Sequence, residues 1–431
     1  VLGRALCRVT ALTVHATAVL GDVTANGDRD TYAGLISGYI WVPSKGSAAV
    51  RIYGSLATGN VTAETKGALA GYSAAYKTEL VSTYLLSPLD LVGDGTKPEA
   101  TPAAWETADL LNGTVLRALN TYASKNGYMP WIKGNNHPIP FVMKKLDGAK
   151  IIPGEEMSLT FYLKADLFDT LPTDVAVVDG QGNAWSGTLV NGYYEFTLTG
   201  ISAADFGRTE GYALRISVKD KVYTATAFTE YSVYSYAARM YGKEESPTEL
   251  MNVLIAMMQY ADAAQTFRDG GSTTFADFAA ATGYTGGAYG DYEKVLAHDT
   301  GKYTYDALAG DIARMSADLD NGIALRLTLN EESGYTDVAV AIGDCAIATT
   351  RDGNVVTLEG LNPADLYNEI TFTFTGEGKT DVVATYSLMQ FLDDYTDTAY
   401  ETLAHAAAIY MEAVWAYAVY TNAFVTPASA Q

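Results

Sequence analysis

Apolar and polar positions alternate one by one along residues 10–20, TALTVHATAVL. Leu12, Val14, Ala16, Ala18 and Leu20 share one face, and Thr13, His15 and Thr17 the other, which predicts one long half-buried strand. A different period governs ELMNVLIAMMQYADAAQTF (249–267). Leu250, Leu254, Met257, Ala261 and Ala264 recur at four-three spacing, and Met251, Ile255 and Met258 form a second apolar strip beside them. A helix apolar over so much of its circumference must be covered on more than one side.

The rest of the chain falls between these two periods. GDVTANGDRD (21–30) reads as a turn-rich connection, with strand-like runs at 31–42 and 48–56. Residues 62–86 change to helical spacing; a Gly/Pro/Asp-rich loop (87–104) then leads to a helix near 105–125. Five strand candidates follow, at 157–164, 173–178, 192–200, 212–219 and 221–229. Residues 230–242 read as helical with Gly242 as the stop, and SPTE (246–249) fits a capping box opening the long helix. A Gly/Thr/Ala/Tyr-rich stretch (268–300) precedes a second round. There TDVAVA (336–341) answers TDVAVV (173–178) at an offset of 163, and GLNPADL (360–366) answers GISAADF (200–206) at 160. Residues 382–399 then match the strand and short helix at 222–241, and 400–420 the closing helix. Thinner matches, AVRIYG with ALRISV and ALNTYA with AMMQYA, extend the pattern to the first segment with an insertion.

The expected fold class is therefore α+β: tandem modules, each a small, mainly antiparallel sheet or sandwich followed by a helical pair. The boundaries are a divergent first module at 1–130, a linker at 131–155, a second module at 156–269, a connector at 270–314, a third module at 315–425 and a tail at 426–431.

Three stretches carry a family resemblance: GYYEFTLTGISAAD (192–205), ALRISVKDKVYTATAFTEYSV (213–233) and ELMNVLIAMMQYADAAQTF (249–267). They resemble a repeat module of large secreted and cell-surface proteins of gut clostridia and ruminococci. The resemblance implies an extracellular, wall- or surface-associated setting and brings no catalytic signature, hence no site residues.

Composition narrows the partners. A net charge of −22 argues against nucleic acid, which needs Lys and Arg to replace counterions, and against anionic lipid. No run of 18 apolar residues exists to insert in a membrane. Beginning at Val1, the chain is expected to have lost a signal sequence, and both ends are expected to be tied down. Cys7 and Cys345 are either one long-range disulfide or two isolated thiols.

Candidate chemistry is sparse. His15, His137, His298 and His405 lack metal-ligand spacing, and no GxSxG, HExxH, GxGxxG or P-loop occurs. Asp22, Asn26, Asp28 and Asp30 are out of phase for a calcium loop, so a turn without metal is expected. Asp393-Asp394 reads as a solvated face. Trp131, Trp185, Tyr193 and Tyr194 fit either aromatic packing or a sugar-stacking platform. The expectation is a secreted, non-enzymatic structural protein without cofactor, forming a homo-oligomer, filament or surface layer through Leu12, Val14, Ala16, Ala18 and Leu20. The alternative is an adhesion protein that binds cell-wall or host polysaccharide through aromatic loops.

Overall fold

The computed structural model describes residues 2–6, 11–26, 32–41, 49–75, 77–86, 89–90, 92–95, 107–152, 157–243, 245–301, 303–304, 308, 310–318 and 323–421. Val1, Cys7 and residues 422–431 lie outside that set, while Cys345 is a free thiol. Helix and small sheets are mixed throughout, consistent with an α+β composition.

The first segment departs from the expected antiparallel unit. Its strands are short and every pairing among them is parallel, so the chain winds as a coil of stacked turns. Ala11–His15, Ala49–Tyr53 and Lys77–Val81 form one ladder, with Leu12 and Thr78 on either side of Val50. Ala18–Leu20, Leu56–Thr58 and Tyr84–Leu86 form a second. Leu2–Leu6, Ser37–Trp41, Ala70–Ser73 and Val92–Gly95 form a third. Shorter pairs, Val23–Thr24 with Val61–Thr62 and Tyr32–Gly34 with Thr65–Gly67, complete the winding. Leu35, Ile40, Ile52, Ala57, Leu69 and Val92 fill the interior. The described residues within 62–86 are thus short strands joined by bends, not helix. Ala68, Leu69 and Ala70 are all buried where the coil bends, and such clusters mimic helical spacing.

The predicted long strand at 10–20 is also two strands, broken at a corner. Ala16 takes φ 45, and the corresponding corners of the next turns are Gly54 at φ 56 and Ser82 at φ 46. Hydrogen bonds carry the ladder around this corner: Ala16 N–H to the Tyr53 carbonyl at 2.9 Å, Leu56 N–H to Thr17 at 2.9 Å and Tyr84 N–H to Ser55 at 2.9 Å. The bend inverts the facing of the chain. Val14 and Val19 pack on the coil interior, whereas Ala18 and Leu20 pack outward under a helix.

That helical layer is α1 (Thr107–Leu111) and α2 (Thr114–Asn126). Leu110, Leu116 and Leu119 close over Leu56, Tyr84 and Trp131. The described part of the expected linker, 131–152, is folded: Trp131–Lys133 pairs with Pro138–Pro140, and Gly148–Ile152 is the edge strand of the next sheet.

Two β-sandwiches follow. In the first, sheet order runs Gly148–Ile152, Ser158–Lys164, Tyr193–Leu198, Thr188–Val190, against Ala184–Ser186, Asp174–Val178, Glu210–Val218, Lys221–Tyr231. Phe161, Phe196, Val177, Leu214 and Ile216 fill the space between. In the second, the orders are Ile312–Asp318, Ala324–Leu329, Val355–Leu358, Thr349–Asp352, and Cys345–Ile347, Asp337–Ile342, Ile370–Thr375, Val382–Tyr386. The two sandwiches coincide strand for strand, all antiparallel. Val175 lies opposite Ile216 and Val338 opposite Phe374; Leu159 lies opposite Leu198 and Leu325 opposite Leu358.

Each sandwich runs into helices. α3 (Val233–Tyr241) and α4 (Thr248–Asp269) follow the first, and α7 (Leu388–Asp393) and α8 (Glu401–Thr421) follow the second. Ser232 and Ser387 cap α3 and α7 by accepting from Ser235 and Gln390 N–H groups. The predicted capping box of α4 does not form: Pro247 occupies the cap position, and Ser246 Oγ donates backward to the Met240 carbonyl at 2.9 Å. The helix ends at Gly270, whose φ of 81 suits a residue without a side chain. Between the sandwiches, the expected connector holds α5 (Thr274–Thr282) and α6 (Tyr292–His298). α4 and α8 then pack antiparallel. All six residues from Val253 to Met258 are buried, and Ala256, Ala407 and Ala408 let the backbones approach. Tyr260 stacks on Tyr410 with ring centres 5.6 Å apart, and Phe267 meets Tyr400 at 5.3 Å.

Candidate functional site

The first turn of the coil is an edge. Ala11–His15 pairs with Ala49–Tyr53 and Ala18–Leu20 with Leu56–Thr58, and among the described residues neither strand has a partner on its other side. Among the described residues, Lys77–Val81 and Tyr84–Leu86 end the same two ladders at the opposite side. Thr13, Arg51 and Glu79 stand in one column on the outside, where Arg51 Nε donates to Glu79 Oε2 at 3.2 Å. Beside them, the His15 ring lies 5.1 Å from Tyr53, and its Nδ1 is 3.1 Å from the Tyr122 hydroxyl. Thus the edge offers backbone groups and a polar column. Its five assembly candidates do not share one face: Val14 is inside, Ala16 is the corner, and Ala18 and Leu20 lie under α2. Leu12 sits in the ladder opposite Val50, and its side chain lies outside what is described.

The aromatic candidates are dispersed. Trp131 is 2% exposed, enclosed by α1, α2 and the coil, so it cannot stack on a sugar without unfolding its surroundings. Tyr194 is buried against Phe168, and Trp185 turns inward toward Tyr212. Only Tyr193, 38% exposed, faces outward, with Tyr162 edge-on beside it. The four rings therefore build no platform.

The remaining polar groups serve as ties. Asp22 Oδ1 accepts from the Asn60 N–H at 2.7 Å across adjacent turns, and Asp28 and Asp30 lie outside the described residues. Asp393 accepts from the Tyr292 hydroxyl at 2.8 Å, and Thr396 bridges to His405 Nε2 at 3.3 Å. Burial pushes Tyr292 up to about 12. A hydrolytic triad places the acid on the imidazole; here Asp393 holds Tyr292, and His405 faces a hydroxyl and stacks on the Tyr292 ring. Asp394 accepts from Tyr386 and Gln390. Glu412 on α8 collects His298 at 2.9 Å and the Tyr367 hydroxyl. Both clusters bind α8 to neighbouring helices. Among the described residues no group of three His, Cys, Asp or Glu side chains is placed to hold a metal ion, and no helix is long and apolar enough to cross a membrane.

No family model matches this chain, and no curated protein matches it significantly. Sequence reasoning did not anticipate the column at Thr13, Arg51 and Glu79, because its members lie 38 and 28 residues apart.

Proposed function

We propose that this chain is a secreted, non-enzymatic structural repeat protein of a bacterial surface, and that copies associate head to tail along the coil axis. The supporting observation is that, among the described residues, no further strand pairs at either end of the coil's first two ladders. In a parallel stack every turn presents the next with the same row of N–H and C=O groups, so the first turn of one copy fits the last turn of another. Such a contact is heterologous and propagates. The coincident strand orders at 148–231 and 312–386 support reading 156–269 and 315–425 as two copies of one module, carried on the coil. The resemblance of 192–267 to surface repeat modules supports the extracellular setting.

Stacking copies would place Thr13 of one over Glu79 of the next, continuing the column in which Arg51 already pairs with Glu79. Thr13→Asp should therefore dissociate assemblies and Thr13→Lys preserve them, read by light scattering and negative-stain imaging. Glu79→Lys combined with Thr13→Asp should restore them. Monomers from the unaltered chain at every concentration would overturn the proposal.

A further inference from the structure

The two sandwich units flank an open cleft of about 460 Å³, lined by both apolar and basic residues. One side is apolar: Ala264 of α4 and Leu403 and Ala404 of α8, with Phe391 of α7. The floor is the outer face of the second sandwich. There Arg314 lies opposite Thr328 and Arg326 opposite Ser316, so the two guanidinium-bearing residues are diagonal neighbours on one face of a strand pair. Arg268 of α4 also lines the cleft, fixed by Asp205 at 3.1 Å and Asp269 at 2.9 Å.

Three arginines converge here on a chain that has 28 Lys and Arg against 50 Asp and Glu. Asp205 and Asp269 offset Arg268, and Arg314 has no ion pair among the described residues. A second opening, lined by Arg314, Phe391, Tyr395 and Asp394, adjoins the first, and Asp394 there already accepts from Tyr386 and Gln390. A planar guanidinium at the rim of an apolar, aromatic-walled cleft suits an anion with an apolar body, because the head group finds fork-shaped donors while the tail leaves water.

We propose that this cleft binds an amphipathic anion: an alkyl chain ending in a carboxylate or a phosphate, head group on Arg314, tail against α4 and α8. The site is independent of the coil edge and of any assembly through it.

The test is isothermal titration calorimetry on the full chain with decanoate, decyl phosphate and decanol. Decanoate or decyl phosphate should bind with one site per chain, and the tighter of the two identifies the head group. Decanol should bind at least tenfold more weakly than the better anion. Arg314→Ala should weaken that anion at least tenfold and Arg314→Lys should recover part of the loss, with circular dichroism unchanged in both variants. Equal binding of decanol, an unchanged Kd in Arg314→Ala, or no heat from either anion would each overturn the assignment.

Discussion

Asn120 holds Trp131 by both ends of its backbone: Oδ1 accepts from the Trp131 N–H at 2.7 Å, and Nδ2 donates to the Trp131 carbonyl at 3.0 Å. One amide side chain on α2 thus supplies the pairing that a neighbouring strand would give. It also fixes the indole that fills the gap between the helices and the coil. Asn120→Ala strands a buried donor and acceptor, which should cost about 1–3 kcal/mol. Hydrogen exchange should rise across 107–133 and stay unchanged in the sandwiches; unaltered exchange there would show that the pair does not hold this junction.

The coil's corners predict opposite outcomes for small residues. Ala16 and Ser82 carry side chains at positive φ, where glycine is unstrained, so Ala16→Gly and Ser82→Gly should each stabilise the coil by about 1 kcal/mol. Gly54→Ala meets two costs, positive φ and a methyl group 2.1 Å from the Tyr122 ring. Limited proteolysis should find cleavage within 1–95 slowed by the first two changes and accelerated by the third. Uniform effects at all three corners would contradict the equivalence.

Tyr231 has a buried hydroxyl with no hydrogen-bond partner among the described residues. Its ring packs edge-on to Phe161 at 5.7 Å, a contact phenylalanine retains. Tyr231→Phe should therefore raise the thermal midpoint of the first sandwich, by roughly 1 kcal/mol in stability. A lowered midpoint would mean that the hydroxyl is bonded in solution.

Asp365 is 4% exposed, and burial raises its carboxyl above the ordinary 3.8, although Asn362 N–H and Asn368 Nδ2 both donate to it. The unfolded chain loses this proton first as pH rises. Stability from this group is therefore highest below 3.8 and falls as pH climbs through the folded value. Asp365→Asn removes the titration, so its melting temperature relative to the unaltered chain should increase from acid toward neutral pH. A difference that is constant or reversed in sign across that range would contradict the burial argument.

The sandwiches were legible because their strands alternate and end at turn residues, and because TDVAVV and TDVAVA place Val175 and Val338 at matching sites. The coil was not, for two physical reasons. Residues 11–20 keep their alternation through a corner that swaps inside for outside, so Ala18 and Leu20 look like partners of Val14 while facing away from it. Ala68, Leu69 and Ala70, buried consecutively at a bend, imitate a helix. Trp131 was ambiguous for another reason: a loop indole looks the same whether a helix covers it or water does.

The unequal turns of the coil carry a consequence for how such a chain changes over time. In its first two ladders the return takes 38 residues and then 28, yet each column stays in register. The extra length lies mostly between Thr24 and Tyr32 and between Trp41 and Ala49, outside the described ladders. Insertions and deletions at those joints leave the stacking rows intact. A lineage of these proteins can therefore vary the spacing between successive strands while retaining one axial geometry.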